Sequence, residues 1–161
     1  MKWLSIALFL LLPLCSFSQV ENPYANGVGI NLTQSPRSGL GISFRYRRQI
    51  GNKGIAKFEL NSNVSNSYGG RIGYEPFELR WKRLELGLGL DVKYGFTDFS
   101  RFGQSKSSEW TLELPIELRF NISPEYSIYS GFSLSQLLSS SVCNICHQTI
   151  SEIRLGLGYN F

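Results

Sequence analysis

The chain has 161 residues and a formal net charge of +4, from sixteen Lys and Arg against twelve Asp and Glu. That excess is mild and evenly spread, which argues against a nucleic-acid binder with its clustered cations. No apolar run reaches the ~20 residues of a spanning helix, so any passage through a membrane must use strands.

The N-terminus reads as an export signal. Lys2 gives a positive start and Leu4 to Leu14 an apolar stretch too short to span. Ser16 and Ser18 are small residues two apart, which fits cleavage after Ser18 or Gln19. Residues 1–19 are therefore expected to be a cleavable signal peptide and 20–161 a single domain, with the charge falling to +3 once Lys2 is lost. A short membrane anchor is the competing reading. Lipidation at Cys15 is disfavoured because Leu14 stands where a small residue is needed. Export leaves Cys143 and Cys146 in a compartment that permits disulfides.

After the signal, apolar residues recur at every second position. Val28, Ile30 and Leu32 open the series; Leu40, Ile42, Phe44 and Tyr46 follow, then Ala56, Phe58 and Leu60. Ile72 and Tyr74 resume after a break as Phe77, Leu79 and Trp81, and the longest set runs from Leu84 to Phe96. Trp110 to Phe120 is the sixth set, Tyr126 to Leu134 the seventh, with Ser130 inside it, and Ile153 to Phe161 the eighth. Period two is the signature of a strand. Most segments have about the 9–13 residues that a tilted strand needs to cross a bilayer.

The connections alternate in length. Gly51 to Gly54, Lys82-Arg83 and Asn121 to Glu125 are short; Asn61 to Gly69, Thr97 to Glu109 and Gln136 to Ser151 are longer and polar. Gln34 to Ser38 is brief although it falls on the long-loop side. An even strand number places both termini at the short-turn end. Parity slips by one across Glu75-Pro76, which predicts a β-bulge, and Pro115 within the sixth strand predicts a local distortion.

The partners of the apolar residues are largely charged. Arg45, Arg47, Lys57, Arg71, Arg80, Lys82, Lys93, Arg119 and Arg154 are nine basic groups. Glu59, Glu78, Glu85, Asp91, Glu113, Glu117 and Glu152 are seven acidic ones. A soluble lipocalin-like barrel would turn these outward and a membrane barrel inward, and alternation alone does not choose. Three features favour the membrane. Aromatics gather near the strand ends: Tyr46, Trp81, Phe120, Tyr126, Tyr159 and Phe161 at the short-turn end, Tyr94, Phe96 and Trp110 at the other. The last residue, Phe161, is aromatic. Glycines such as Gly27, Gly29, Gly39, Gly41, Gly87, Gly89, Gly131, Gly156 and Gly158 share the charged face, where a narrow lumen would need room for long side chains.

The signal ending SFSQ, the strands GVGI and GLGLGLDVKYGF, and the closing RLGLGYNF resemble the small eight-stranded outer-membrane barrels of the OmpA/OmpX type, in the form common among Bacteroidetes. The resemblance covers the whole mature chain and implies an eight-stranded antiparallel up-and-down transmembrane β-barrel in the bacterial outer membrane. It also implies that Phe161 is read by the outer-membrane assembly machinery. Eight strands enclose an interior that side chains can fill, so the charges are expected to form a paired network that plugs the lumen. A narrow gated path is the alternative.

Cys143-Asn144-Ile145-Cys146-His147 has the C-x-x-C-H spacing of covalent haem attachment. A second axial ligand is hard to find, since His147 is the single histidine and Met1 the single methionine. Zinc would have three ligands there and lack a fourth. A disulfide between Cys143 and Cys146 at the tip of a surface loop is the preferred reading, and no cofactor or metal is assigned. Ser139, Ser140, Ser141 and Ser151 near His147 supply no spacing for a nucleophile, a base and an orienting group, so an enzyme acting on outer-membrane lipid remains an alternative only. Phe99 and Phe102 are candidate contact residues in the third long loop. The expected role is structural or interactive, by a monomer embedded in outer-membrane lipid, with extracellular partners engaged through loops.

Overall fold

The structure is a computed structural model that describes residues 25–36, 39–51, 54–64, 67–97, 107–140 and 149–161. The signal segment, Phe99, Phe102, Cys143, Cys146 and His147 lie outside the described residues. Eight strands follow in chain order: β1 Asn26–Ser35, β2 Gly39–Ile50, β3 Gly54–Asn63, β4 Ser67–Trp81, β5 Leu84–Thr97, β6 Ser107–Asn121, β7 Tyr126–Ser140 and β8 Thr149–Asn160. Each pairs antiparallel with the next, and β8 returns to β1 from Gly27↔Asn160 to Gln34↔Ile153. Closure leaves no edge strand, which lets every ladder group find a partner in lipid. The seam is fastened at the termini: Asn26 N donates to Phe161 O at 3.1 Å and Phe161 N to Asn26 O at 2.9 Å.

The alternation sorts the side chains between two solvents. Ile72 is 68% exposed and Leu157 64%, whereas Arg154, Asp91 and Glu113 are each 1% exposed. A soluble barrel would show the reverse, so the lipocalin-like arrangement is excluded. The outward surface is an apolar band bordered by aromatics. At the terminal end, Tyr126 and Tyr159 lie 5.3 Å apart between ring centroids, and Tyr159 stacks on Phe161 at 6.2 Å. At the other end, Tyr94 meets Trp110 at 4.9 Å, with Tyr68 exposed on the neighbouring strand. Such rings suit the boundary between acyl chains and headgroups.

Several boundaries differ from the sequence reading. The stretch Asn61 to Gly69, expected as a loop, is mostly strand: Asn61, Ser62 and Asn63 pair with Gly69, Tyr68 and Ser67. Likewise β6 begins at Ser107 and β7 runs to Ser140, within segments expected to be loop. These extensions lie at and past the level of the aromatic ring, where Ser62 pairs with Tyr68 and Ser139 with Trp110, and the apolar band that requires outward alternation ends there. Lys82 is no lumen residue: it turns the β4–β5 hairpin with φ 54° and is exposed. Gly39 is also exposed and has φ 70° at the start of β2.

The two expected irregularities belong to one defect. The β4–β5 register shifts between Tyr74 and Phe77, and the β5–β6 ladder is interrupted between Leu88↔Ile116 and Asp91↔Glu113. Pro115 stands in that gap, where its missing N–H would leave a carbonyl unpaired. The bulge on β4 turns Glu75 inward over Gly89, where an added Cβ would come within 3.0 Å of Glu75 Cγ and 3.3 Å of Pro115 Cγ. Glycine is therefore required between the bulge and the proline.

Replacing Leu155 by Arg puts a charge on the lipid face near the middle of β8, where the leucine is 56% exposed. The cost is expected to be about 2–4 kcal/mol, read from urea unfolding in phospholipid vesicles. Ser62→Arg, level with Tyr68 in the aromatic ring, is expected to cost under ~1 kcal/mol in the same assay.

Candidate functional site: the ion-paired lumen

The inward positions of the middle of the barrel carry almost nothing but charge and glycine. All fifteen side chains Arg45, Arg47, Lys57, Glu59, Arg71, Glu78, Arg80, Glu85, Asp91, Lys93, Glu113, Glu117, Arg119, Glu152 and Arg154 point there. Glu75 joins them at 1% exposure. With Glu75 added and Lys82 removed, the nine basic and seven acidic groups of the sequence reading become eight and eight. The basic set is Arg45, Arg47, Lys57, Arg71, Arg80, Lys93, Arg119 and Arg154; the acidic set is Glu59, Glu75, Glu78, Glu85, Asp91, Glu113, Glu117 and Glu152. Signs match because a buried charge without a partner costs several kcal/mol.

From the terminal end upward, Arg80 Nε lies 3.0 Å from Glu85 Oε1, and Arg119 Nη1 donates to Glu85 Oε2 at 2.7 Å and to Glu78 Oε1 at 3.1 Å. Arg119 Nη2 reaches Glu117 Oε1 at 2.7 Å. The other oxygen of Glu117 accepts from Arg45 Nη1 at 2.5 Å, a bond from β2 to β6 across the barrel. Arg45 also lies 3.4 Å from Glu59 Oε2. Glu59 passes the chain to Arg71, whose Nη1 donates to Glu59 Oε1 at 3.1 Å. Arg71 Nη2 lies 2.8 Å from both Glu152 Oε1 and Glu113 Oε2, which again spans the lumen, from β4 to β8. Lys93 joins Glu152 at 2.8 Å, and Arg154 lies 3.6 Å from the same carboxylate. On the other side Lys57 Nζ donates to Glu75 Oε1 at 2.7 Å and lies 3.3 Å from Asp91 Oδ1. Arg71 Nε lies 3.9 Å from Asp91 Oδ2 and ties this group in, so every charged group of the set except Arg47 is part of one connected web, whose cross-barrel bonds can pass only through the interior.

Neutral groups complete the filling. Tyr129, 3% exposed, hydrogen-bonds Asn31 Oδ1 through its hydroxyl, and the Arg45 guanidinium lies 4.5 Å from its ring centroid. Asn31 Nδ2 in turn donates to Ser43 Oγ at 2.9 Å. Small buried hydroxyls fill in among the upper charges: Thr33 pairs with Arg154, Thr111 with Lys93, Ser133 with Glu152 and Ser135 with Glu113. Gly73 has its Cα so near Asp91 that any side chain there would occupy the carboxylate's space. The interior is plugged by side chains. Among the described residues no group of three or more His, Cys, Asp and Glu is arranged to hold a metal.

Glu75, Tyr129, Asn31 and Ser43 were missed by sequence reasoning. Tyr129 and Asn31 could have been found by strict parity, because each lies between two outward apolar residues or beside one. Glu75 was hidden by the bulge, which makes both Glu75 and Glu78 inward although they stand an odd three positions apart.

No family model matches the chain, and no curated protein matches it. Solved structures do. The N-terminal β-barrel domain of Pseudomonas aeruginosa OprF superposes with a TM-score of 0.69 at 9% identity, covering 86% of this chain and 99% of that one. Outer membrane protein Ail of Yersinia pestis, in a phospholipid bilayer nanodisc, gives 0.55 at 21% identity, covering 86% and 99%. Neisserial surface protein A gives 0.55 at 13% identity, covering 84% and 96%. The fold is that of the small outer-membrane β-barrels.

A double-mutant cycle tests the web. Arg71→Met is expected to cost about 3–5 kcal/mol, because Glu59, Glu113 and Glu152 all lose their shared cation. Adding Glu152→Gln should recover part of that loss, with a coupling energy above ~1 kcal/mol in vesicle unfolding.

Proposed function

We propose that this chain is an integral protein of the bacterial outer membrane, of the OmpA/OmpX type in its Bacteroidetes-like form, with a closed lumen and a structural or surface-interaction role. The observation that carries the reading is the pair of cross-barrel bonds, Arg45 to Glu117 and Arg71 to Glu152, set inside a wall whose outer face is apolar. A barrel plugged at two levels by ion pairs offers no general path for solutes. Its activity is non-catalytic and falls to the segments joining strands at the end opposite the termini. The intervals 98–106 and 141–148 are the longest of these. Within them, Phe99 and Phe102 supply apolar contacts to an extracellular partner. A disulfide between Cys143 and Cys146 stiffens the second, without haem or metal at His147. At the opposite end, Phe161 serves as the assembly signal, and the exported chain begins after a signal peptide ending near Gln19. The protein acts as a monomer in lipid.

Conductance in planar bilayers distinguishes a plug from a pore. The reconstituted protein is expected to show no steps comparable to those of a porin; steps of that size would refute the closed lumen. Intact mass before and after reduction checks the ends and the loop together. The expected mass is that of residues 20–161 less two hydrogens, rising by two hydrogens on reduction, with no added haem or acyl group.

A further inference from the structure

One guanidinium at the terminal end of the lumen has no carboxylate within ion-pair distance among the described residues. Arg47 is 9% exposed, and its Nη2 donates to Asn160 Oδ1 at 2.6 Å. Its Nη1 is buried and meets no acceptor among the described residues, and the same holds for Nη2 of Arg45, which is 5% exposed. Both arginines line one small cavity, together with Arg119, Ser127 and Tyr129. The cavity has a volume of about 10 Å³, room for about one water molecule. Three glycines keep it open: a Cβ would stand 2.8 Å from Arg47 Nε at Gly27, 2.6 Å from Tyr129 Oη at Gly29, and 2.7 Å from Ser127 Oγ at Gly158.

The geometry points to a binding site for a single small monovalent anion, of the chloride class, between Arg45 and Arg47. The space admits one particle near the size of water and is too small for phosphate or sulfate. Water could accept the two N–H groups but would leave the Arg47 charge buried and unmatched, which an anion corrects. No acidic side chain lines the cavity. The Nη groups of Arg119 are committed to Glu78, Glu85 and Glu117, so that residue contributes positive field, and Ser127 adds a hydroxyl that can donate. The equal numbers of acids and bases along the whole lumen do not meet this local need, because Arg47 has no carboxylate at ion-pair distance among the described residues. The ion enters from the end where the termini meet, since Gly27 pairs with Asn160 one step from the seam.

Wild-type crystals grown in sodium bromide test the site directly. An anomalous peak is expected at hydrogen-bond distance from Arg45 Nη2 and Arg47 Nη1. In solution, the heat-unfolding midpoint of the detergent-solubilised protein should be roughly 2–4 °C higher in sodium chloride than in sodium gluconate of equal ionic strength. Arg47→Gln should abolish that difference between the two salts. An ordered water without anomalous signal, or equal midpoints for the wild-type protein in both salts, overturns the proposal. Both readouts on the wild-type chain stand whether or not the variant folds.

Discussion

A charge inside a narrow barrel has no water to fall back on, so it must be matched by another side chain. The architecture of the interior follows from that requirement. Arg71 is shared among Glu59, Glu113 and Glu152, and Arg119 among Glu78, Glu85 and Glu117. Arginine suits these nodes because its planar fork serves several carboxylates at once, where lysine offers a compact point charge. The two lysines accordingly sit toward the margins of the web, Lys57 beside Glu75 and Asp91, and Lys93 beside Glu152. Glycine enters the same account, since an Arg from one wall needs an empty position on the other.

The same need explains the break in the wall at Glu75 and Pro115. Pro115 cannot donate to β5, and a regular ladder there would strand a carbonyl in a sheet that has no edge. The gap beside Gly89 and the bulge at Glu75 remove the demand locally. The bulge then supplies the eighth acid, which reaches Lys57. A backbone irregularity and a charge deficit are thus resolved by one residue. Without Glu75, Asp91 would be the sole anion within ion-pair distance of Lys57.

Much of this was readable before any coordinates. Period-two apolar residues gave all eight strands, and the slip across Glu75-Pro76 located the bulge, because lipid demands a strict outward pattern where it touches the wall. Legibility ended where lipid ends. Asn61 to Asn63 continue β3 through the level of the aromatic ring, where Ser62 pairs with Tyr68, and their polar side chains look like loop in sequence. Lys82 kept the right parity for the lumen yet lies one residue past the wall, in a hairpin where parity has no meaning. Which acid meets which base was not legible at all. Arg45 meets Glu117 from seventy-two positions away, since cross-barrel distance depends on closure and not on spacing along the chain. The C-x-x-C-H motif lies outside the described residues, and its reading rests on the sequence alone.

Buried ion pairs are commonly no better for stability than apolar residues of the same shape. In a membrane barrel that comparison omits something. Lipid is as apolar as a leucine core, so an apolar lumen would leave the two faces of each strand equivalent. A one-residue slip of register would then cost little. With charge on one face, the same slip would turn groups such as Arg71, Glu113 and Arg154 into acyl chains, at about 2–4 kcal/mol for each Arg or Lys near the midplane. Summed over eight strands, that penalty exceeds the few to fifteen kcal/mol of a whole domain's stability. The paired charges therefore act chiefly by defining which face is inside, and the web they form once inside is the condition for carrying them there.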